Sequence, residues 1–285
     1  MNIKKAVITL AGPDQRKLPL QSLIDQRGIE KSVLEFLLDE IQLAGIEQIG
    51  IVHFPGDEKA FKNVLGSHSS EVTFIEQSQP KGYAHAIFSA KSFTGNDPFL
   101  HLVGDHLYVN KGNISAAKQL ISVASAKNCS VSAVQPTKEN HISMFGVVGA
   151  SRIQGNNELY KIERVIEKPT PTEAEQKLLV PGLRAGHYLC FYGMHILTNS
   201  VMKIIEQLLN EQPDNKVNLS EALNVLAKKE EYLALEQNDL RFDLGTKYGL
   251  FKAQLAVALS GNDRDQLMSE LLEFFVAKDL NTVGK

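Results

Sequence analysis

The sequence predicts an α/β protein built on a mostly parallel sheet, and three observations carry that reading. Short apolar runs alternate with helical periodicity from Lys5 to Gln135, the pattern of repeated strand–helix–strand units. The run from Phe99 to Leu107 is apolar with few interruptions, as strands buried on both faces are. In the second half, Phe145–Val148 and Tyr160–Ile166 alternate apolar and polar residues about a Gly155-Asn156-Asn157 turn. This adds antiparallel strands to the same sheet.

A chain of 285 residues without an internal repeat or a disordered linker suits one continuous domain, 1–285, with a helical C-terminal appendage from about 262 to 285. The net charge of −3 supplies no basic field, so no nucleic-acid partner is expected. The apolar run Ala6–Leu10 is too short to span a membrane and lacks a cleavage site. Cys129 and Cys190 form no C-x-x-C and read as buried thiols of a reducing compartment. A cytoplasmic protein with no membrane partner is expected.

Residues 5–11 predict the first strand, which runs into Ala11-Gly12-Pro13-Asp14-Gln15-Arg16, a turn rich in breakers. Such a turn lets backbone N–H groups approach a phosphate, although it is neither a P-loop nor G-x-G-x-x-G. Arg16 has the fork geometry to meet a pyrophosphate. A helix over 31–44 puts Val33, Leu34, Leu37, Leu38 and Ile41 on one face, and Gly45 stops it. Strand 46–53, helix 57–65 and strand 72–76 follow. The loop 77–86 then opens a helix through Ala90. The next strand ends at Gly104-Asp105. A carboxylate just past the carboxyl end of a buried strand lies where open α/β sheets bind ligands, and it can hold a divalent cation that grips a polyphosphate. An Asp that merely caps the turn fits these residues equally well.

Helix 114–126 and strand 130–135 complete the first half. After the alternating pair, Glu167-Lys168-Pro169 ends its strand abruptly, and Pro171 opens a short helix to Leu179. Adjacent side chains on a strand face opposite ways, so Glu167 and Lys168 share a face only if Pro169 breaks the strand there. A strand over 185–192, helices over 196–209 and 218–229, and a strand over 232–236 follow. Arg241 to Thr246 lead into a helix ending at Leu259. The last helix, 264–277, carries Leu267, Leu271, Leu272 and Phe275. That is more apolar surface than a free tail needs, so it packs on its own domain or joins copies of the chain. A homo-oligomer is expected.

Five short segments then line up in order: Gln77…Pro80-x-Gly82-x-x-His85-Ala86, Gly104-Asp105, Phe145-Gly146-Val147, Glu167-Lys168-Pro169 and Arg241-Phe242-Asp243-Leu244-Gly245-x-Lys247-x-Gly249. With these the chain resembles the sugar-1-phosphate nucleotidyltransferases over most of its length, and is most similar to their bacterial UTP–glucose-1-phosphate uridylyltransferase branch. The resemblance implies a Rossmann-like three-layer mixed sheet of the nucleotide-diphospho-sugar transferase type. It also implies an enzyme that joins a nucleoside triphosphate to a sugar 1-phosphate, releases pyrophosphate and uses Mg²⁺. Its partners would be those small molecules.

On this resemblance Asp105 and Asp243 hold the metal, and Asp105 counts among the catalytic residues. Gln77 and Gly82 contact the base, with Ala11 and Gly12 beside base and ribose. Gly146 and Glu167 bind sugar hydroxyls, and Lys168 the sugar phosphate. Arg16 and Lys168 help the cation offset the repulsion between two anionic substrates.

The chain departs from the family in its first loop, where Asp14 and Gln15 stand in place of Gly and Thr. Lys17 and Lys31 are both candidates for that loop's lysine. His106 follows the metal Asp and is expected behind it or at the surface. Three readings stay open: a UTP enzyme, an enzyme for dTTP or another triphosphate and sugar phosphate, and a degenerate subunit that binds nucleotide-sugars without turnover.

Overall fold

The first apolar run forms β1 (Lys5–Thr9), which ends two residues earlier than predicted because Leu10 and Ala11 leave the sheet for a cleft at its edge. The computed structural model describes residues 1–13, 16–68 and 72–282, so Asp14 and Gln15 lie outside the described residues. A small antiparallel hairpin, β2 (Ser22–Ile24) and β3 (Glu30–Ser32), comes next and was not predicted. It delays α1 to Val33–Leu43. Ser32 caps that helix, accepting from Glu35 N–H, while the Glu35 carboxylate accepts the Ser32 N–H at 2.7 Å. The predicted apolar stripe of α1 is buried as expected.

The chain continues through β4 (Gln48–His53), α2 (Glu58–Lys62), β5 (Val72–Glu76), α3 (Tyr83–Ser89), α4 (Lys91–Thr94), β6 (Phe99–Val103), β7 (His106–Val109), α5 (Ala116–Lys127) and β8 (Ser130–Lys138). The second half holds β9 (Gly146–Arg152), β10 (Leu159–Glu167), α6 (Pro171–Lys177), β11 (His187–Leu197), α7 (Asn199–Glu211), α8 (Leu219–Lys229), β12 (Tyr232–Glu236), β13 (Leu240–Asp243), α9 (Gly249–Ala258) and α10 (Arg264–Thr282).

Nine strands form the main sheet in the order β5-β4-β1-β6-β11-β8-β12-β10-β9. The run β5-β4-β1-β6 is parallel, as is the pair β8–β12. β11 is antiparallel to both β6 and β8, and β10 is antiparallel to β12 and β9. The sheet is therefore mixed, and "mostly parallel" holds for its first half alone. The correction has a simple cause. The chain returns from the β9–β10 hairpin along β11, which enters the middle of the sheet against its neighbours. β9 also pairs with β11, so the far edge curls back on the sheet.

Helices cover both faces. Leu34, Leu38 and Ile41 of α1 and Leu120 of α5 pack on Ile8, Ile51 and Leu102. Ala84 and Ile87 of α3, Val201 and Ile205 of α7 and Leu223 of α8 pack on Val7, Val52 and Phe99. The second face carries a polar row inside this apolar layer. His195 on β11 stands opposite His101 on β6 and Ser132 on β8. Ser132 Oγ lies 2.6 Å from His195 Nδ1 and also bonds the Tyr232 hydroxyl.

α10 leaves Leu267 and Leu271 half-buried, while Leu272, Phe274, Phe275 and Val276 stay 57–63% exposed. Half of the predicted apolar stripe, Leu272 and Phe275, is thus uncovered by its own chain. No described helix is long and apolar enough to cross a membrane.

Candidate active site

A cleft of about 530 Å³ opens at the carboxyl ends of β1 and β6, the edge where parallel strands present ligand-binding loops. Its back wall is the turn Leu10-Ala11-Gly12 after β1. β1 and β6 leave the sheet side by side there. A Cβ on Gly104 would fall 1.8 Å from Leu10 Cδ2 and 3.0 Å from the Thr9 carbonyl, so any larger residue would have to displace the Leu10 side chain.

One end of the cleft is polar. Gln77 follows β5 and is buried, with Nε2 2.9 Å from His85 Nδ1 and 3.4 Å from the Gly82 carbonyl. A carbonyl only accepts, so the amide turns its NH₂ toward Gly82 and His85 and keeps its oxygen unengaged. Burial, with Lys81 nearby, lowers the His85 pKa, so the ring stays neutral and its Nδ1 accepts. Gly82 caps α3 at φ 99°, and a Cβ there would sit 2.8 Å from the Val217 carbonyl.

The middle of the cleft is acidic. β7 and β13 form a separate two-stranded antiparallel sheet in which His106 pairs with Asp243. That pairing brings Asp105 beside Asp243, 138 positions further along the chain. One ligand atom each of Asp105, His106 and Asp243 lies within 4.8 Å of the others, a set that fits a divalent cation. His106 Nδ1 is 2.7 Å from Asp105 Oδ1. Burial, the largest single influence, would raise the Asp105 pKa, but the neighbouring imidazole with its hydrogen bond, a backbone N–H and Arg241 together hold it below the ordinary carboxylate value. Asp243 Oδ1 accepts the Gly245 N–H at 2.9 Å. Behind them Arg241 is sandwiched over Phe145, 4.1 Å from the ring centroid, and donates to the Phe191 carbonyl.

The other end combines a carboxylate and a lysine. Gly146 lies directly opposite Glu167 in the β9–β10 pair. A Cβ on Gly146 would come within 2.8 Å of Ser220 Oγ and 3.1 Å of Glu167 Oε2, so glycine makes room for the carboxylate. Glu167 Oε2 accepts the Ser220 hydroxyl at 2.6 Å. Lys168 takes a left-handed backbone, φ 48°, and its N–H bonds the Phe145 carbonyl at 3.0 Å. That reversal lets Glu167 and Lys168, adjacent in sequence, line the same cleft.

A model of the nucleotidyl transferase family matches residues 23–259. The chain belongs to that family and is a nucleotidyltransferase. A UTP–glucose-1-phosphate uridylyltransferase of Streptococcus pneumoniae serotype 4 is 28% identical over 301 residues, covering 95% of this chain and 96% of its own. The enzyme of the same description from Mycoplasma genitalium is 29% identical over 297 residues, covering 95% and 96%. A UDP-glucose pyrophosphorylase solved in complex with UDP-glucose shares the fold, with a TM-score of 0.74 and 23% identity over 90% of this chain and 98% of its own.

In this nucleotidyltransferase the cleft gathers Ala11, Gly12, Gln77, Gly82, Asp105, Gly146, Glu167, Lys168 and Asp243, as their spacing and the resemblance led us to expect. Two expected cations are corrected. Lys31 points the other way. Its Nζ sits 2.5 Å from Asp39 in a second hollow shared with Glu40 and Lys118, because the β2–β3 register turns it toward α1. Arg16 stops at the rim. Its guanidinium lies 4.6 Å over the Phe54 ring and 3.3 Å from Asp57. Lys17, the alternative to Lys31, is solvent-exposed and does not line the cleft either. Among the described residues, the lysines that line it are Lys168 and Lys216. His106, expected behind the metal Asp or at the surface, is buried and hydrogen-bonded to Asp105, so the surface alternative is excluded.

Sequence reasoning missed Lys216, Ser220, Tyr83 and His195, all of which line the cleft. Tyr83 was visible as a large aromatic beginning the helix after Gly82. Its hydroxyl is buried beside Thr9, which also lines the cleft. Burial, with Asp105 and Glu167 in electrostatic reach, raises its pKa, so it stays a protonated donor.

Proposed function

We propose that this chain transfers a uridylyl group from UTP to glucose 1-phosphate, giving UDP-glucose and pyrophosphate. The observation that carries the reading is convergence. Six segments scattered between Ala11 and Asp243 meet in one cleft, with Gln77 and Gly82 at one end, an acidic middle and an end holding Glu167 and Lys168. The names of the relatives and of the UDP-glucose complex support the same substrates.

The reaction is an in-line attack by a sugar-phosphate oxygen on the α-phosphorus, which asks the protein for positioning and charge cancellation. Gln77, its NH₂ held by His85 and Gly82, offers a carbonyl oxygen to the base. That oxygen accepts from the N3–H of uracil and opposes the lone pair at N3 of cytosine. Glu167, steadied by Ser220, accepts from sugar hydroxyls. Lys168 supplies positive charge toward the phosphates. Asp105 and Asp243 offer the carboxylates that would hold Mg²⁺, which when bound would neutralise triphosphate charge and polarise the α-phosphate.

The test is pyrophosphate release from glucose 1-phosphate with each of UTP, dTTP, CTP, GTP and ATP in the presence of Mg²⁺. Release with UTP and none with CTP is the expected pattern. No release from any triphosphate, together with tight binding of UDP-glucose, would refute turnover and leave a nucleotide-sugar binding subunit.

A further inference from the structure

We propose that His106 is a third protein ligand of the cation held by Asp105 and Asp243, and that its nitrogen shifts the preference of this site from Mg²⁺ toward Mn²⁺ and Co²⁺. The inference rests on the nucleotidyl-transfer reading of the cleft.

The geometry is set by the backbone. His106 opens β7 and Asp243 closes β13, and the two are direct partners in that small sheet. The imidazole is 8% exposed and stacks on Tyr108 at 6.4 Å. Its Cδ2 lies 3.5 Å from where a Cβ on Gly193 would stand, so the β11 backbone confines it on the far side. Around an octahedral ion with ligands at about 2.1 Å, neighbouring donors stand about 3.0 Å apart and opposite ones about 4.2 Å. The 2.7 Å between Asp105 Oδ1 and His106 Nδ1 is close to a neighbouring pair, and the full set already falls within 4.8 Å. Without a cation, Nδ1–H donates to the Asp105 carboxylate. With the hydrogen on Nε2 instead, the same Nδ1 presents a lone pair to a metal.

The chemical consequence follows from donor type. Carboxylate and water suit Mg²⁺, which gains little from a nitrogen ligand. Along the first-row series an imidazole adds affinity in the order Mn²⁺ below Co²⁺. An oxygen at this position would leave Mg²⁺ better matched.

The experiment uses the full-length protein with UTP bound and no sugar phosphate, titrated with Mn²⁺ and followed by electron paramagnetic resonance. Pulsed measurements are expected to show a directly coordinated ¹⁴N in the wild type, and none in His106→Asn or His106→Asp. Competition with Mg²⁺ should give a Mn²⁺-over-Mg²⁺ preference that falls about tenfold in His106→Asp, which exchanges the nitrogen donor for a carboxylate oxygen; the ratio of the two metals cancels the effect of the added charge, common to both. Absence of the nitrogen signal in the wild type, its persistence in both variants, or an unchanged preference in His106→Asp would overturn the role of His106 while leaving the cleft intact. Mn²⁺ binding unaffected in Asp105→Asn/Asp243→Asn would overturn the metal site itself, and with it the proposed reaction.

Discussion

His195 gives the structure a testable acid sensitivity. The side chain is 2% exposed, packed between Phe191 at 4.9 Å and His101 at 5.9 Å, and its Nδ1 is held by Ser132. Burial pushes its pKa down to about 3, against about 6.5 in an unfolded chain. The unfolded state therefore takes up the proton first. Stability from this residue is present above about pH 6.5 and is lost as pH falls toward 3. At pH 5 the unfolded ring is protonated over neutral by about 30-fold, which costs the fold about 2 kcal/mol relative to pH 7.5. Burial lowers the His101 pKa too, so that residue works in the same direction. Urea unfolding of wild type and His195→Asn at both pH values isolates the contribution, since the Asn amide can still pair with Ser132. The variant is less stable at both pH values because it shrinks a buried side chain. The loss between pH 7.5 and 5 should nevertheless be smaller in the variant by about 2 kcal/mol. Equal losses would refute the reasoning and mean that the folded protein accommodates a charged imidazole at this position.

Asp105→Asn and Asp243→Asn should each reduce pyrophosphate release by on the order of a hundredfold or more, with melting temperatures near wild type. A drop of about 8 °C or more in either variant would assign that carboxylate to the fold instead. Lys168→Ala should raise the apparent KM for glucose 1-phosphate by roughly tenfold while the left-handed turn survives, and an unchanged KM would contradict its contact with the sugar phosphate. Removing α10 after Ser260 should reduce the mass seen by light scattering from an oligomer to a monomer, because Leu272, Phe274 and Phe275 are uncovered on the isolated chain. Full-length protein scattering as a monomer would refute that use of the helix.

The sequence made the parts of this site legible and hid how they meet. Strands such as Phe99–Val103 and the stripe of α1 are local patterns, readable because period and burial coincide within a dozen residues. Glu167-Lys168 could be read as a pair facing one site only by assuming a broken strand. The break proves to be the left-handed backbone of Lys168, which no composition signal marks on a lysine. Lys31 misled because its destination depends on a three-residue hairpin too short to show periodicity, whose register turns it toward Asp39. The two aspartates are the sharpest case. Each was visible as an acid at the end of an apolar segment. Their meeting depends on β7 pairing with β13, four residues against four, with Asp243 opposite His106. Such a pairing is long-range and brief, so neither strand announces its partner. The same pairing places His106 against the two acids. The residue least expected to matter and the residues most expected to matter are thus positioned by one short ladder, and a change in its register would turn all three away from one another.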